Sequence, residues 1–157
     1  MSKVAEGKPA PDFSLPSTEG REISLKDFKG KKNIVLYFYP KDDTPGCTQE
    51  ACDFRDGLKK FAAKDAVVLG VSADPLAAHE KFRGKYKLPF PLLSDEAKEV
   101  IKKFDVWKEK SMYGKKYMGI ERTTVVIDKK GEVRRIFPKV KVTGHAEEVL
   151  KTLEELS

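Results

Sequence analysis

The longest apolar run of the chain, Ile34–Tyr39, most narrows the folds that the chain can adopt. The run is rich in β-branched and aromatic residues and ends at Pro40, a pattern typical of a strand buried on both faces of a sheet. Six apolar residues fall far short of the roughly 20 that a membrane-spanning helix needs. The run therefore predicts a central strand in a sheet that other elements cover on both sides.

The segments around this strand predict a mixed α/β fold. The stretch DFSLPSTEGREISL predicts an N-terminal hairpin around the turn Ser17–Gly20. The other predicted elements are, in chain order, a helix at about Pro45–Lys64, a strand at Ala66–Asp74, helices at Pro75–Tyr86 and Glu96–Phe104, strands at Thr123–Asp128 and Val133–Phe137, and a helix at Ala146–Leu156. Ser94 and Asp95 are candidate caps for the third helix. This order predicts a mixed central sheet flanked by helices, which is compatible with a thioredoxin-like core and with other α/β sandwiches.

Length and charge limit the class of protein further. With 157 residues the chain is expected to form one domain, spanning residues 1–157. Its first residues lack the apolar core of a secretory signal, so we expect a cytoplasmic protein with reduced cysteines.

The net charge is +6, but 25 lysines are interleaved with 25 acidic residues and no arginine-rich tract occurs. A solvated basic surface is thus favoured over a nucleic-acid site.

The first cysteine, Cys47, is predicted to lie in the first turn of a helix. Pro45 suits the first helical position because its missing N–H group would be unpaired there, and Thr44 is then the candidate N-cap. Free N–H groups and the positive end of the helix dipole favour a thiolate at this place. The cation of Lys41 would add to this effect, whereas the carboxylates of Asp42–Asp43 would oppose it. Cys47 is therefore a candidate nucleophile.

The second cysteine, Cys52, follows Cys47 by five positions, which does not match the redox motif C-x-x-C. On a straight helix the Cα atoms of two such residues lie about 8.6 Å apart and point roughly 140° apart around the axis. A disulfide requires a Cα separation below about 7 Å, so the two thiols can bond only if the first helical turns unwind. Two interpretations stay open at this point. The cysteines are an attacking and a resolving pair, or Cys52 is a core residue like its neighbours Ala51 and Phe54.

Two motifs resemble those of peroxiredoxins. The pattern Pro40-x-x-x-Thr44-x-x-Cys47 resembles their active-site signature, and C-T-x-E-A-C, from Cys47 to Cys52, is similar to the bacterioferritin comigratory protein or PrxQ subfamily. Similar stretches also occur at Gly7–Leu15, Phe54–Asp56 and Phe104–Asp128. The resemblance covers nearly all of the chain and implies a thioredoxin-like fold.

The resemblance implies a thiol-dependent peroxidase that reduces hydrogen peroxide and organic hydroperoxides. Cys47 would be the peroxidatic cysteine, which peroxide oxidises to a sulfenic acid. Cys52 would then attack this sulfur and form an intramolecular disulfide. The hydroxyl of Thr44 would contact thiolate and peroxide, and Pro40 would shield the pocket from water.

Arg122 follows from the same resemblance, and Glu50 is a candidate partner for it on physical grounds. Arg122 would supply a permanent positive charge beside the thiolate and hydrogen-bond the peroxide oxygens as charge develops. Glu50 would orient Arg122 by a charge-assisted hydrogen bond, although an exposed helical glutamate is an equally open interpretation. Lys108 follows Trp107 where family members commonly have glycine, which leaves the substrate preference open. The resemblance implies no metal or cofactor, a monomer, and re-reduction by thioredoxin or a similar dithiol protein.

Three other function classes are weaker. A metal site made of Cys47, Cys52, His79 and His145 has spacings that are poor for zinc, and both histidines are more often surface or cap residues in such segments. A general thiol–disulfide oxidoreductase would require C-x-x-C at a helix N-terminus. A nucleic-acid binder would require a concentrated basic stripe.

Overall fold

A five-stranded sheet forms the centre of the structure, a computed structural model that describes residues 4–156. The strands are β1 (Ser14–Pro16), β2 (Glu22–Ser24), β3 (Asn33–Phe38), β4 (Ala66–Ser72), β5 (Leu92–Ser94), β6 (Trp107–Met112), β7 (Lys115–Ile120), β8 (Thr123–Ile127) and β9 (Val133–Phe137). The helices are α1 (Pro45–Asp56), α2 (Leu58–Ala62), α3 (Leu76–Tyr86), α4 (Glu99–Lys103) and α5 (His145–Glu155). No helix within residues 4–156 combines the length and the apolar character that a membrane span requires.

The central sheet has the strand order β5-β4-β3-β8-β9. Strands β3, β4 and β5 run parallel, whereas β8 is antiparallel to β3 and β9 is antiparallel to β8. Strands β1 and β2 form the predicted N-terminal hairpin, in which Leu15 pairs with Ile23. The mixed sheet, its flanking helices and this hairpin confirm the predicted fold class.

Strand β3 is buried along its whole length, as its sequence predicts. Successive side chains of a strand point to opposite faces, so its apolar residues divide between two cores. Ile34, Leu36 and Phe38 face one core, against the N-terminal hairpin and α4. Val35, Tyr37 and Tyr39 face the other core, which α1, α2, α3 and α5 cover. The strand therefore fixes the position of α1, which follows it through a short loop.

The single helix predicted at Pro45–Lys64 is wrong, because the chain turns at Gly57. This residue ends α1 and begins α2 with φ −94° and ψ 3°, outside the regular helical region. Glycine is a poor helix former because its backbone is freer than that of any other residue. The apolar spacing continues across the turn, since Phe54 and Phe61 both reach the core. Periodicity alone therefore did not reveal the break.

The region after α3 also differs from the prediction. Strand β5 was not predicted, and Ser94, a candidate helix cap, ends it. The predicted helix Glu96–Phe104 is shorter, because α4 begins at Glu99 after Lys98 in a left-handed conformation with φ 62°. The Asp95 carboxylate accepts a 2.7 Å hydrogen bond from the Ile101 N–H, so it caps the helix from outside the usual N-cap position.

The hairpin of β6 and β7 is the largest element that the sequence did not predict. Its two strands pair in register from Trp107 with Ile120 to Met112 with Lys115. Both turn residues, Tyr113 and Gly114, have positive φ angles of 51° and 76°, as a tight two-residue hairpin turn requires. Most of the hairpin is exposed and rich in lysine, so it lacks the apolar alternation by which strands are recognised.

Candidate active site

Cys47 lies in the first turn of α1, where the sequence places it. Pro45 occupies the first helical position, and Thr44 is the N-cap with an extended backbone. The hydroxyl of Thr44 does not cap the helix and instead donates a 2.9 Å hydrogen bond to the carbonyl oxygen of Lys41. The Cys47 side chain is 1% exposed. A thiol at this place meets free N–H groups and the positive end of the helix dipole.

Arg122 reaches Cys47 because of the strand register. Phe38, at the end of β3, pairs with Thr123, at the start of β8, so the residue before Thr123 lies beside the loop that leads into α1. The Arg122 Nη2 atom lies 3.3 Å from the Cys47 Sγ atom. The guanidinium at this distance presents a permanent positive charge and a hydrogen-bond donor to the sulfur.

Glu50 completes a chain of three charged or chargeable groups. Its Oε1 atom accepts a 2.7 Å hydrogen bond from Arg122 Nη1, so the two arms of one guanidinium contact Glu50 and Cys47 at once. The Glu50 side chain is 1% exposed and the Arg122 side chain 17% exposed. Glu50 is therefore not the exposed helical glutamate that the sequence left open. Its role in orienting Arg122 stays a prediction.

Gly46 makes room for this guanidinium. A Cβ atom at this position would lie 3.1 Å from Arg122 Nη2, the atom that contacts Cys47. Such a contact is tighter than an ordinary van der Waals separation, so a larger residue would displace Arg122 or α1. The glycine of the Pro-Gly-Cys sequence therefore serves the approach of Arg122.

Burial changes the protonation of Glu50. Desolvation raises the pKa of its carboxyl from 4.5 to about 7, although the charge and hydrogen bond of Arg122 act in the opposite direction. The second carboxylate oxygen, Oε2, has no hydrogen-bond partner among residues 4–156. A buried oxygen without a hydrogen-bond partner destabilises the ionised form of the carboxylate. The unpaired Oε2 atom and the raised pKa are therefore both consequences of burial.

The stability of the protein is expected to depend on pH through Glu50. Between pH 4.5 and about 7 the folded state holds a proton that the unfolded chain releases, so the contribution of Glu50 to stability falls as pH rises through this window. The pKa difference corresponds to a free energy on the order of 3 kcal/mol.

We expect Glu50→Gln to lose this dependence on pH, so the stability of the variant relative to the wild type should rise between these two pH values. Urea unfolding at a series of pH values measures the difference, and Glu96→Gln, at an exposed position, is the control. A wild-type-minus-variant difference that does not change with pH would contradict the prediction.

Lys110, on β6, is a further cation at this site, and the sequence analysis did not identify it. Partial burial and the nearby charge of Arg122 lower the pKa of its ammonium, while Cys47 and Glu121 act in the opposite direction. Its side chain packs over Gly119 of the neighbouring strand. It was missed because the hairpin that carries it was not predicted.

The two other predicted site residues are Cys52 and Pro40. Cys52 is half-buried on α1, and both thiols are free. Its place five residues after Cys47 on one unbroken helix agrees with the expectation that the pair cannot bond while α1 is intact. Pro40 is exposed between β3 and α1. Its proposed shielding of the pocket stays a prediction.

His79 was expected to be a surface or cap residue, and this was wrong because it is fully buried beneath the active-site loop. Its Nε2 atom lies 2.9 Å from the Leu93 carbonyl oxygen, which can only accept, so Nε2 carries a hydrogen. Its Nδ1 atom lies 2.6 Å from Asp42 Oδ2, and Asp42 Oδ1 accepts a 2.6 Å hydrogen bond from the Tyr39 hydroxyl. The backbone N–H of Asp42 donates to Asp74 at 2.9 Å. This network ties the loop before α1 to α3 and to the segment that follows β4.

His145 was also expected to be a surface or cap residue, and it too is buried. It begins α5, with ring nitrogens 2.7 Å from Thr124 Oγ1 and 2.6 Å from Glu148 Oε1. The four candidate metal ligands do not come together. Within residues 4–156, the cluster with metal-ligand spacing is Asp42, Asp74 and His79, whose atoms are already hydrogen-bonded to one another and to neighbouring groups.

Comparison with known proteins gives consistent matches. The AhpC/TSA family model matches residues 6–136. Peroxiredoxin Bcp of Bacillus subtilis (strain 168) is 53% identical over 151 residues, which cover 96% of this chain and 96% of that protein. The structure of a PrxQ cysteine-to-serine mutant from Xylella fastidiosa has a TM-score of 0.92 at 38% identity and covers 99% of this chain and 98% of its own. A structure of the bacterioferritin comigratory protein from Xanthomonas campestris, studied for alkyl peroxide reduction, has a TM-score of 0.89 at 41% identity. The match covers 96% of this chain and 98% of that one. These likenesses confirm the thioredoxin-like fold.

Proposed function

Because this chain belongs to the AhpC/TSA family, as a peroxiredoxin of the Bcp and PrxQ group, we propose that it reduces peroxides through a sulfenic acid on Cys47 and an intramolecular Cys47–Cys52 disulfide. Its membership makes it a thiol-dependent peroxidase. The observation that carries the finer proposal is the guanidinium of Arg122, which contacts the buried sulfur of Cys47 at 3.3 Å while Glu50 holds its other arm.

In the first step the Cys47 thiolate attacks one oxygen of the peroxide. The O–O bond breaks, and its electron pair leaves with the second oxygen, which takes a proton and departs as water or an alcohol. The sulfur is oxidised to a sulfenic acid and the peroxide is reduced. Negative charge grows on the peroxide oxygens as the bond breaks, and a fixed guanidinium beside the sulfur stabilises this charge without rearrangement.

In the second step the Cys52 thiolate attacks the Cys47 sulfur. The S–O bond breaks, hydroxide takes a proton and leaves as water, and the S–S bond forms. Both cysteines lie on α1, so its first turns must unwind before the sulfur atoms can meet. The mechanism therefore alternates between a folded helix, which is reactive toward peroxide, and an unwound helix, which forms the disulfide.

A dithiol reductant closes the cycle by thiol–disulfide exchange. One of its thiolates attacks the Cys47–Cys52 disulfide, and its second thiolate then releases both cysteines in the reduced form. We propose a thioredoxin-like protein for this role and a monomer that works in the reducing cytoplasm. Alkyl hydroperoxides as well as hydrogen peroxide are proposed substrates, by similarity to the Xanthomonas campestris protein.

The proposal is tested by counting free thiols before and after one equivalent of hydrogen peroxide. We expect the wild type to lose both thiols within seconds, and Cys47→Ala to keep Cys52 reduced. We expect Cys52→Ser to stop at a sulfenic acid that a dimedone reagent traps. Survival of both wild-type thiols, or reaction of Cys52 before Cys47, would contradict the mechanism.

A further inference from the structure

The unwinding of α1 must end before Phe54. This side chain is fully buried, and its ring lies 4.9 Å from that of Tyr37, 5.6 Å from that of Phe61 and 6.0 Å from that of His145. Extracting a phenylalanine from such a cluster would expose a large apolar area. The part of the helix that can open while Phe54 stays in place therefore lies between the Asp42 network and Phe54, and its opening also withdraws Cys47 and Ala51 from the core.

The start of this segment is held by Asp43. Its backbone is left-handed, with φ 56°, a conformation that few residues other than glycine, asparagine and aspartate adopt. Its Oδ1 atom accepts a 2.8 Å hydrogen bond from the Tyr86 hydroxyl, and its Oδ2 atom accepts one of 2.8 Å from Lys85 Nζ. These two hydrogen bonds lower the pKa of Asp43, so they favour its charged form. The last turn of α3 thus fixes the loop just before α1.

The last turn of α3 also contacts α1 at the C-terminal end of the segment that can open. Arg55, one residue after Phe54, donates a 2.8 Å hydrogen bond from Nη1 to the Tyr86 carbonyl oxygen. Tyr86 therefore contacts both flanks of the catalytic helix, one through its hydroxyl and the other through its backbone. Its ring lies edge-on to Phe82, with 5.5 Å between ring centres, and Phe82 belongs to the core. The residue that bridges the two flanks is itself fixed.

We propose that Lys85 and Tyr86, which we term the α3 clamp, act with Asp43 and Arg55 as positioning residues that hold α1 folded and so set how often Cys47 and Cys52 can meet. The inference rests on the disulfide mechanism proposed above. None of these residues is required to touch the peroxide. The clamp should therefore act on the second step of the cycle, in which the helix opens, and leave the first step unchanged, since that step uses the folded helix.

Tyr86→Phe is the most selective test, because it removes the hydroxyl and keeps both the ring packing on Phe82 and the carbonyl oxygen that Arg55 contacts. The loss of one hydrogen bond is expected to raise the rate of disulfide formation about three- to five-fold. The rate of Cys47 oxidation should stay within a factor of two. Oxidation to sulfinic acid at high peroxide should fall, because the sulfenic acid lives for a shorter time. Quenched-flow thiol labelling with mass spectrometry measures all three quantities.

A double-mutant cycle separates the clamp from a general loss of structure. Asp43→Ala should accelerate disulfide formation as Tyr86→Phe does, and the double variant should be no faster than Asp43→Ala alone, because both remove the same contact. Tyr113→Phe, at a position 97% exposed on the hairpin tip, is the control and should resemble the wild type. Wild-type rates of disulfide formation in both single variants would overturn the proposal, as would equal slowing of both steps.

Hydrogen exchange of the reduced protein tests the clamp without peroxide chemistry. Amides of residues 45–53 should exchange about three- to five-fold faster in Tyr86→Phe, while amides of β3 and β4 keep their protection. Unchanged exchange in α1 would overturn the clamp even if the peroxidase cycle is correct. Conversely, a wild type that forms no disulfide would contradict the proposed function, and the exchange data would still decide whether Tyr86 holds the helix.

Discussion

Replacing Arg122 with lysine is expected to slow the oxidation of Cys47 by hydrogen peroxide by about two orders of magnitude. The guanidinium contacts the Cys47 sulfur with one arm and Glu50 with the other, at 3.3 Å and 2.7 Å. A lysine ammonium is a single point of charge, so it cannot reproduce this planar two-armed contact. It would bind the carboxylate or approach the sulfur, and the charge that develops on the peroxide oxygens would lose its fixed donor. The second-order rate constant from quenched-flow thiol labelling measures the effect.

The control for this prediction is Arg135→Lys, an exposed position on β9 whose guanidinium packs over Phe137. It should keep the wild-type rate constant. Circular dichroism of the Arg122 variant should confirm that it is folded, because the contact of the guanidinium with the buried Glu50 carboxylate is lost in this variant. A loss in rate of less than about five-fold in a folded Arg122→Lys protein would contradict the role proposed for the guanidinium.

The local part of the site could be predicted from the sequence because it depends on neighbouring residues. Pro45 and Thr44 define the start of α1, and this places Cys47 in the first turn before any tertiary contact is considered. The separation of five residues between the cysteines likewise depends only on helix geometry. Arg122 lies 75 positions away from Cys47, and only the family resemblance pointed to it, since no spacing rule links the two residues.

The parts that could not be predicted depend on contacts between distant segments. Lys110 reaches the site on a hairpin whose exposed lysines hide its strand character. Gly57 breaks a helix whose apolar spacing continues on both sides of the break. His79 lies among charged residues of α3, and its partners Asp42 and Leu93 come from a loop and from a strand that was not predicted. In each case tertiary packing, and not local preference, determines the position of the residue.

The buried pair of His79 and Asp42 leads to the largest expected effect on stability. Replacing His79 with alanine is expected to lower the free energy of unfolding by about 3–5 kcal/mol. The imidazole is 0% exposed, and its removal leaves the Asp42 carboxylate without its 2.6 Å partner and the Leu93 carbonyl oxygen without its donor. The unpaired buried polar groups and the cavity left by the imidazole both lower the free energy of unfolding. Urea unfolding at pH 7 measures the change, and Glu80→Ala, an exposed position on the same helix, is the control.

A second variant shows whether the pair acts as a unit. Asp42→Asn keeps an acceptor for the Tyr39 hydroxyl but removes the carboxylate that faces His79 Nδ1. If the two side chains stabilise the protein mainly through each other, the double variant should lose less than the sum of the single variants, by about 1–3 kcal/mol. Because Asp42 precedes the catalytic helix by three residues, the variants that break the pair should also slow the oxidation of Cys47. Additive losses, or a His79→Ala protein destabilised by less than about 1 kcal/mol, would show that the loop is held by its other contacts, such as the Asp42 N–H to Asp74.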